Sequence, residues 1–333
     1  MRHVRATTHA TAATRGAIDV RDLNSVHGAV DVMSLRGELR LNESLARHTS
    51  WRVGGPADRF YVPEDVAALS EFLASLAADE PLTFIGLGSN LLVRDGGVRG
   101  SVVSLARLPE ELQHSGDLNL TVSAGVACAK VARFAADAGL TGAEFLAGIP
   151  GTMGGALAMN AGAWGGETWA IVDWVETLDR HGRVQRRGRD DFRIGYRSVR
   201  GPRDEWFLRA GLVLAPDRQG QARARIRELL AQRAASQPMG QPSCGSVFRN
   251  PPGDHAARLI EACGLKGFSV GRARVSDKHA NFIINTGAAT AADIEALIEH
   301  VQEAVRLQTG VELIAEVRII GEAAAPTSEE DRL

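Results

Sequence analysis

Three observations on this sequence predict an α+β fold built from three modules. Glycine clusters fall between short apolar runs rather than in a low-complexity tract, the spacing expected of strands joined by tight turns. Helical periodicity occurs in separate blocks, each with its own start and stop signal. The 333 residues, 44% of them hydrophobic, suffice for two or three cores. Modules are expected at 36–105, 106–218 and 219–321, with polar, disordered tails at 1–35 and 322–333.

Pro63-Glu-Asp65 opens a helix in which Val66, Leu69, Phe72, Leu73 and Leu76 recur at helical spacing, with acids at the positive end of its dipole. Strands follow at 82–85, 91–93 and 102–105, the last two separated by an Asp95-Gly-Gly97 turn. Leu118, Leu120 and Val122 alternate as a strand, and a helix from 127 to 138 stops at Gly139, a natural left-handed cap. A strand at 175–178, a His181-Gly182 turn and the alternating Trp206, Leu208, Ala210, Leu212 and Leu214 give the second module its hairpins. An Arg-rich amphipathic helix at 219–236, carrying Ile226, Leu229 and Leu230, leads into the third module. There a helix at 254–263 capped by Gly264, a strand around 282–284, a helix at 290–308 before Gly310, and a strand at 312–320 are expected. No repeat of fixed period is present.

Composition excludes several function classes. A net charge of −2 with scattered Lys and Arg leaves no electrostatic footprint for nucleic acid, so any nucleotide bound should be a small molecule. Cys128, Cys244 and Cys263 have neither disulfide arithmetic nor metal-ligand spacing, which favours a reducing compartment, the cytoplasm, and no metal. No apolar stretch is long enough to span a bilayer, and the start lacks the apolar core of a secretory signal, so membrane insertion is not expected.

The segment Pro242-Ser-Cys-Gly-Ser-Val-Phe-Arg-Asn-Pro251 places two serines, a thiol, a guanidinium and an amide between prolines, where neither helix nor central strand can form. It reads as a working loop, against the plainer alternative of a turn capped by Asn250. Gly86-Leu-Gly-Ser-Asn90 lacks the third glycine and the following helix of a dinucleotide fingerprint, but its N–H groups could form a nest for a diphosphate; a plain turn is the rival. Gly148-Ile-Pro-Gly-Thr-Met-Gly-Gly155 repeats that logic, with Thr152 as a hydroxyl and Ile149 and Met153 able to lie along a planar ring. Two such loops suggest a ligand with a diphosphate and a large flat group. Tyr196-Arg197 reads on pattern as a surface strand end, with Arg197 offering a bidentate fork to a carboxylate; Glu316 is on pattern alone the wet face of a strand, and His279 reads as a structural hydrogen-bonding histidine rather than a base. Cys244 lacks a positioned histidine and ranks below Ser246 as a reactive group.

Taken in order, His48-Thr-Ser-Trp-Arg-Val-Gly-Gly-Pro-Ala-Asp58, Gly86 to Asn90, Gly148-Ile-Pro-Gly-Thr152, Asn160-Ala-Gly-Ala163, Tyr196-Arg197, Pro242 to Phe248, His279-Ala-Asn-Phe282 and Glu316-Val-Arg-Ile-Ile-Gly321 resemble the UDP-N-acetylenolpyruvoylglucosamine reductases of bacterial cell-wall synthesis. The resemblance covers residues 36–321. It implies a two-part FAD-binding domain of the vanillyl-alcohol oxidase type and a smaller α/β substrate-binding domain. It implies non-covalent FAD held by Gly86, Leu87, Gly88, Ser89, Asn90, Ile149, Gly151, Thr152, Gly154, Gly155 and Gly162, with NADPH as hydride donor. The substrate implied is UDP-N-acetyl-3-O-(1-carboxyvinyl)-glucosamine, bound after NADP⁺ leaves. Arg197 and Glu316 would stabilise charge on its carboxylate, Ser246 would protonate carbon, Tyr196 and Asn250 would contact substrate, and Arg318 would face the flavin or an anion. The family commonly shows Tyr-Arg-x-Ser, whereas here Ser198 directly follows Arg197. The interval from Arg197 to Ser246 is short, which implies the subtype without an inserted tyrosine loop. The rivals are a flavin oxidase of the same fold and a non-catalytic flavin or UDP-sugar binding protein.

Overall fold

The structure, a computed structural model, describes residues 35–109 and 111–325, so the expected tails lie outside the described residues except for Leu35 and 322–325. The chain forms two compact units, each assembled from separated segments.

Of the described residues, one unit comprises 35–43, Asp58–Gly86 and Gly100–Arg223. The strands Gly37–Ser44, Pro56–Pro63, Val98–Ser104 and Leu82–Ile85 lie in that order in one sheet, with Leu82–Ile85 parallel to Val98–Ser104. The helix Val66–Ser75 begins where Asp65 accepts a hydrogen bond from the Ala68 N–H at 2.7 Å, so Pro63 and Glu64 precede it rather than open it. Its buried Ala68, Leu69, Phe72 and Leu73 recur at i, i+1, i+4 and i+5, and Phe72 stacks on Tyr61 with centroids 4.1 Å apart. A five-stranded antiparallel sheet runs Val184–Gly188, Val172–Asp179, Glu205–Val213, Asn119–Ser123, Leu112–His114. At its hairpin, the Asp179 carboxylate accepts from the His181 and Arg183 N–H groups while Gly182 sits at φ +77°. The helix Cys128–Asp137 ends before Gly139 at φ +74°, as expected.

The other unit comprises Ser44–Ala57, Leu87–Arg99 and the chain from Ala224 onward. The helix Ala222–Ser236 carries the chain into it; Asp217 receives the Gln221 and Ala222 N–H groups and starts the helix three residues later than periodicity suggests. Ile226 and Leu229 are buried, whereas Leu230 is 38% exposed, so the apolar stripe is narrower than expected. The antiparallel strands Ser269–Val270, Ala273–Val275 and Ile283–Asn285 pack with the helix Ala291–Thr309. That helix is capped from two directions: Thr290 accepts from the Asp293 N–H, and Asp95 accepts from those of Ala291 and Ala292. Gly310 closes it at φ +74°.

The long strand expected at 312–320 forms only as Arg318–Ile320. The segment divides its backbone between partners: Ala315 bridges Phe248, the Glu316 N–H donates to Val247 O at 2.7 Å, and Arg318–Ile320 then pairs in parallel with Leu91–Val93. A change of partner breaks a ladder that alternation alone would continue.

This unit's core gathers Trp51, Leu92, Phe248, Ile260, Val275, Ile294, Leu297 and Val301. Trp51 is fully buried and its indole N–H donates to Ile283 O at 2.7 Å, while the Asn285 amide donates to Trp51 O at 2.9 Å. Trp51→Ala should therefore cost about 3–5 kcal/mol of unfolding free energy, combining the cavity with a stranded carbonyl. Urea unfolding measures this, and a loss under about 1 kcal/mol would contradict the packing described.

Candidate active site

In the first unit, two of the expected loops meet. A Cβ on Gly86 would lie 2.5 Å from the Thr152 hydroxyl oxygen, so the close approach requires glycine. Thr152 is buried and N-caps the helix Met153–Met159, accepting the Gly155 N–H at 3.5 Å. The Met153 and Gly154 N–H groups go to Val126 and Ala124 carbonyls, whereas those of Gly151 and Thr152 meet no acceptor among the described residues. The free donors of this loop thus lie before the helix, not along Gly154-Gly155 as a continuous nest would need.

Beyond the helix, Asn160 sits at φ +49° and is almost fully buried. Its amide donates to the Glu167 carboxylate and to Gly195 O, and its carbonyl oxygen accepts the Trp169 N–H. This single amide ties the Asn160-Ala-Gly-Ala163 segment to the strand that delivers Tyr196 and Arg197. These two residues are not a strand end; they form the two-residue loop of a hairpin between Arg193–Gly195 and Ser198–Arg200, with Ser198 paired to Gly195. Arg197 takes φ +50°, a conformation that glycine or asparagine adopts far more cheaply. Such a residue costs of order 1–3 kcal/mol and persists only when its surroundings hold it. Here they do: the guanidinium donates to Gly162 O at 2.7 Å and Asn160 O at 3.4 Å and lies 5.2 Å from the Tyr196 ring centroid. A Cβ on Gly162 would come 3.1 Å from an Arg197 Nη atom and 2.4 Å from Gly166 O, so glycine is needed here too. Tyr196 is 49% exposed. Trp164, at φ +49°, lays its ring where a Cβ on Gly148 would be 2.1 Å away, a constraint invisible in the sequence.

In the second unit the Ser246 loop, the last strand and Leu87–Asn90 converge. Gly245 at φ +71° turns the chain into Ser246. The Val247 N–H donates to Asn281 O at 2.9 Å, and the buried Asn281 side chain grips Phe248 by both backbone groups, at 2.9 and 2.8 Å. Across from it, the Glu316 N–H donates to Val247 O, the Asn90 amide donates to Glu316 O at 3.1 Å, and the Arg318 N–H donates to Asn90 O. Ser246, Glu316 and Asn90 therefore share one backbone frame. Gly88 is buried at φ +61°, where a Cβ would lie 2.0 Å from His48 O; the N–H groups of Leu87, Gly88 and Ser89 reach no acceptor among the described residues. Asn250 caps the helix Ala256–Ala262 by accepting the Ala256 N–H, which leaves its amide N–H groups available. Arg318 is exposed.

Two other candidates are structural. Cys244 lies in the core with its thiol facing the Leu91 and Gly88 carbonyls, and burial pushes its pKa up to about 12. His279 accepts the Asn281 N–H on Nδ1, and burial holds its pKa below the usual histidine value. Asn160 and Asn281 were quoted only as parts of motifs; an amide amid apolar and small residues is the signal that could have marked them as hubs.

Comparison with known proteins sharpens this arrangement. Residues 57–188 match an FAD binding domain, and residues 237–320 match the C-terminal domain of UDP-N-acetylenolpyruvoylglucosamine reductase. The UDP-N-acetylenolpyruvoylglucosamine reductase of Alkalilimnicola ehrlichii is 60% identical over 287 residues, covering 86% of this chain and 96% of its own. That of Methylococcus capsulatus is 59% identical over 290 residues, covering 87% and 95%. The chain belongs to the UDP-N-acetylenolpyruvoylglucosamine reductase family. The crystal structure of the reductase from Thermus caldophilus superimposes with a TM-score of 0.73 at 35% identity, covering 85% of this chain and 98% of that one. This reductase chain is thus an FAD-dependent oxidoreductase with the two-part flavin domain and smaller substrate domain of the vanillyl-alcohol oxidase type.

The residues present fit FAD. Within the first unit, Gly86 and Thr152 form a contact that a side chain would close, and the unengaged N–H groups of Gly151 and Thr152 suit phosphate oxygens. Among the described residues no cluster of three or more His, Cys, Asp or Glu could hold a metal, and no helix is long and apolar enough to cross a membrane.

Gly86→Ala should push the Thr152 hydroxyl off its cap, cost about 1–2 kcal/mol of stability and lower the FAD bound per purified chain. The ratio of visible to ultraviolet absorbance measures it; normal flavin content at normal stability would contradict the contact. Because burial holds the Cys244 thiol protonated at pH 8 and out of reach of solvent, it should resist iodoacetamide in the native protein and react only after unfolding. Mass spectrometry of the alkylated peptide checks this, and rapid native labelling would contradict it.

Proposed function

We propose that this enzyme reduces the enolpyruvyl ether of UDP-N-acetylglucosamine to UDP-N-acetylmuramate, a peptidoglycan precursor, in the cytoplasm and with NADPH as hydride donor. The observation that carries the chemistry is the backbone pairing of Val247 with Glu316, which sets Ser246 and Glu316 in one rigid frame beside Asn90. FAD, when bound, takes hydride from NADPH and supplies it to the terminal carbon of the enolpyruvyl double bond.

Each residue then has a task. Gly86 to Asn90, Ile149, Gly151, Thr152, Gly154, Gly155 and Gly162 hold the cofactor non-covalently. Arg197, fixed in a strained hairpin loop and aimed by two carbonyls, binds the substrate carboxylate and stabilises the charge that accumulates there as hydride adds. Glu316 polarises the same region through hydrogen bonds. The Ser246 hydroxyl donates its proton to the carbon adjacent to the one that received hydride, which completes the addition of one hydride and one proton across the double bond and leaves a serine alkoxide to be reprotonated from solvent. That hydroxyl engages no partner among the described residues, so it is available for transfer. Tyr196 and Asn250 contact substrate, and Arg318 faces the flavin or an anionic group.

Ser246→Ala separates the steps. Flavin reduction by NADPH does not involve the hydroxyl and should proceed at close to the wild-type rate. Reoxidation by the enolpyruvyl substrate should slow by at least about 10²–10⁴-fold, the usual worth of a general acid. Stopped-flow absorbance on each half-reaction tests it, and an alanine variant that reoxidises at the wild-type rate removes Ser246 as the donor.

A further inference from the structure

Arg249 stands three residues after Ser246 and one before Asn250, and none of the roles above uses it. Its backbone is held on both sides: its N–H donates to Ile314 O at 2.9 Å, and the Phe248 peptide before it is gripped by Asn281. The residue is partly buried, its Nε is fully removed from solvent, and that atom has no acceptor. No hydrogen bond, ion pair or ring contact engages the guanidinium among the described residues. Arg94, Arg187 and Arg209 instead lie against Glu295, Glu205 and Glu176. An arginine cannot shed its proton, and a buried donor without an acceptor is costly. An uncompensated guanidinium rooted in a rigid segment is therefore what an anionic ligand would complete.

We propose that Arg249 binds the diphosphate of the UDP-sugar substrate and so positions the enolpyruvyl group relative to Ser246. This rests on the substrate assignment above. The substrate carboxylate already has Arg197, whereas its diphosphate has no dedicated cation. The fork of a guanidinium matches phosphate oxygens in bidentate fashion. The neighbouring Asn250, whose carbonyl oxygen is committed to the Ala256 N–H, has two amide N–H donors left for the same phosphates.

The test uses the FAD-loaded full chain and the variants Arg249→Met and Arg249→Lys. Calorimetry with UDP-N-acetylglucosamine and UDP, and with uridine as a probe without phosphate, should show Arg249→Met weakening both phosphate-bearing ligands by about 10–100-fold while uridine binding stays the same. Arg249→Lys, which keeps charge without the fork, should recover part of the loss. Without ligand, Arg249→Met should melt at or above the wild-type temperature, since a buried donor without an acceptor has been removed, but UDP should stabilise it less; a merely structural arginine would lower that unliganded temperature. Wild-type affinity for UDP in Arg249→Met overturns the proposal, as does loss of FAD from that variant, which would assign the side chain to the cofactor's diphosphate. Wild-type protein that binds none of these uridine ligands overturns the substrate assignment itself, and the proposal with it.

Discussion

The Asn281 amide clamped on both backbone groups of Phe248 is the interaction on which the second unit's Ser246 loop depends. Extended backbone flanked by proline and glycine has no helix or long ladder to satisfy it. Asn281 supplies one edge, and the chain at Ile314 to Val317 supplies the other. Because the clamped residues Val247 and Phe248 also bury their side chains in the core, the position of Ser246 is tied to the packing of the whole unit. Loss of the amide would leave the Phe248 N–H and C=O buried without partners, a larger penalty than one ordinary hydrogen bond.

The first unit uses a different device for the same end. Arg197 sits there in a left-handed conformation at the tip of a hairpin, and two backbone carbonyls from the segment beginning at Asn160 hold the guanidinium. Strain at Arg197 is offset by Asn160, whose side chain joins the hairpin to that segment. Glycines at 86, 148 and 162 are then spatial requirements, since each lies where a Cβ would meet Thr152, Trp164 or Gly166. Both units thus use one buried asparagine amide to fix a loop, the Arg197 hairpin in one and the Ser246 segment in the other.

Much of this was legible in the sequence where local chemistry decides the outcome. Helix ends at Gly139, Gly264 and Gly310, the hairpin at His181-Gly182 and the helix after Thr290 follow from caps and periodicity, which need only near neighbours. Motif order carried the family and the cofactor. What failed to show was non-local. The segment 312–320 alternates like one strand yet exchanges partners between Phe248 and Leu91, and Tyr196-Arg197 reads as a strand end yet turns a hairpin. Asp95 caps a helix that starts 196 residues later in the chain, and Asp217 caps one from the turn before it; no pattern within those helices predicts either. Cys244, the most reactive residue type in its loop, is packed inward against carbonyls, a matter of orientation that spacing cannot supply.

The central claim is that these loops hold a flavin that NADPH reduces and an enolpyruvyl UDP-sugar reoxidises. An anaerobic visible spectrum of the purified chain, recorded before NADPH, after it, and after the enolpyruvyl substrate, tests this most directly. A yellow protein that bleaches with one equivalent of NADPH and regains its full absorbance with one equivalent of substrate is predicted. A flavin that NADPH reduces but the enolpyruvyl sugar leaves reduced, recovering only when oxygen is admitted, would contradict it.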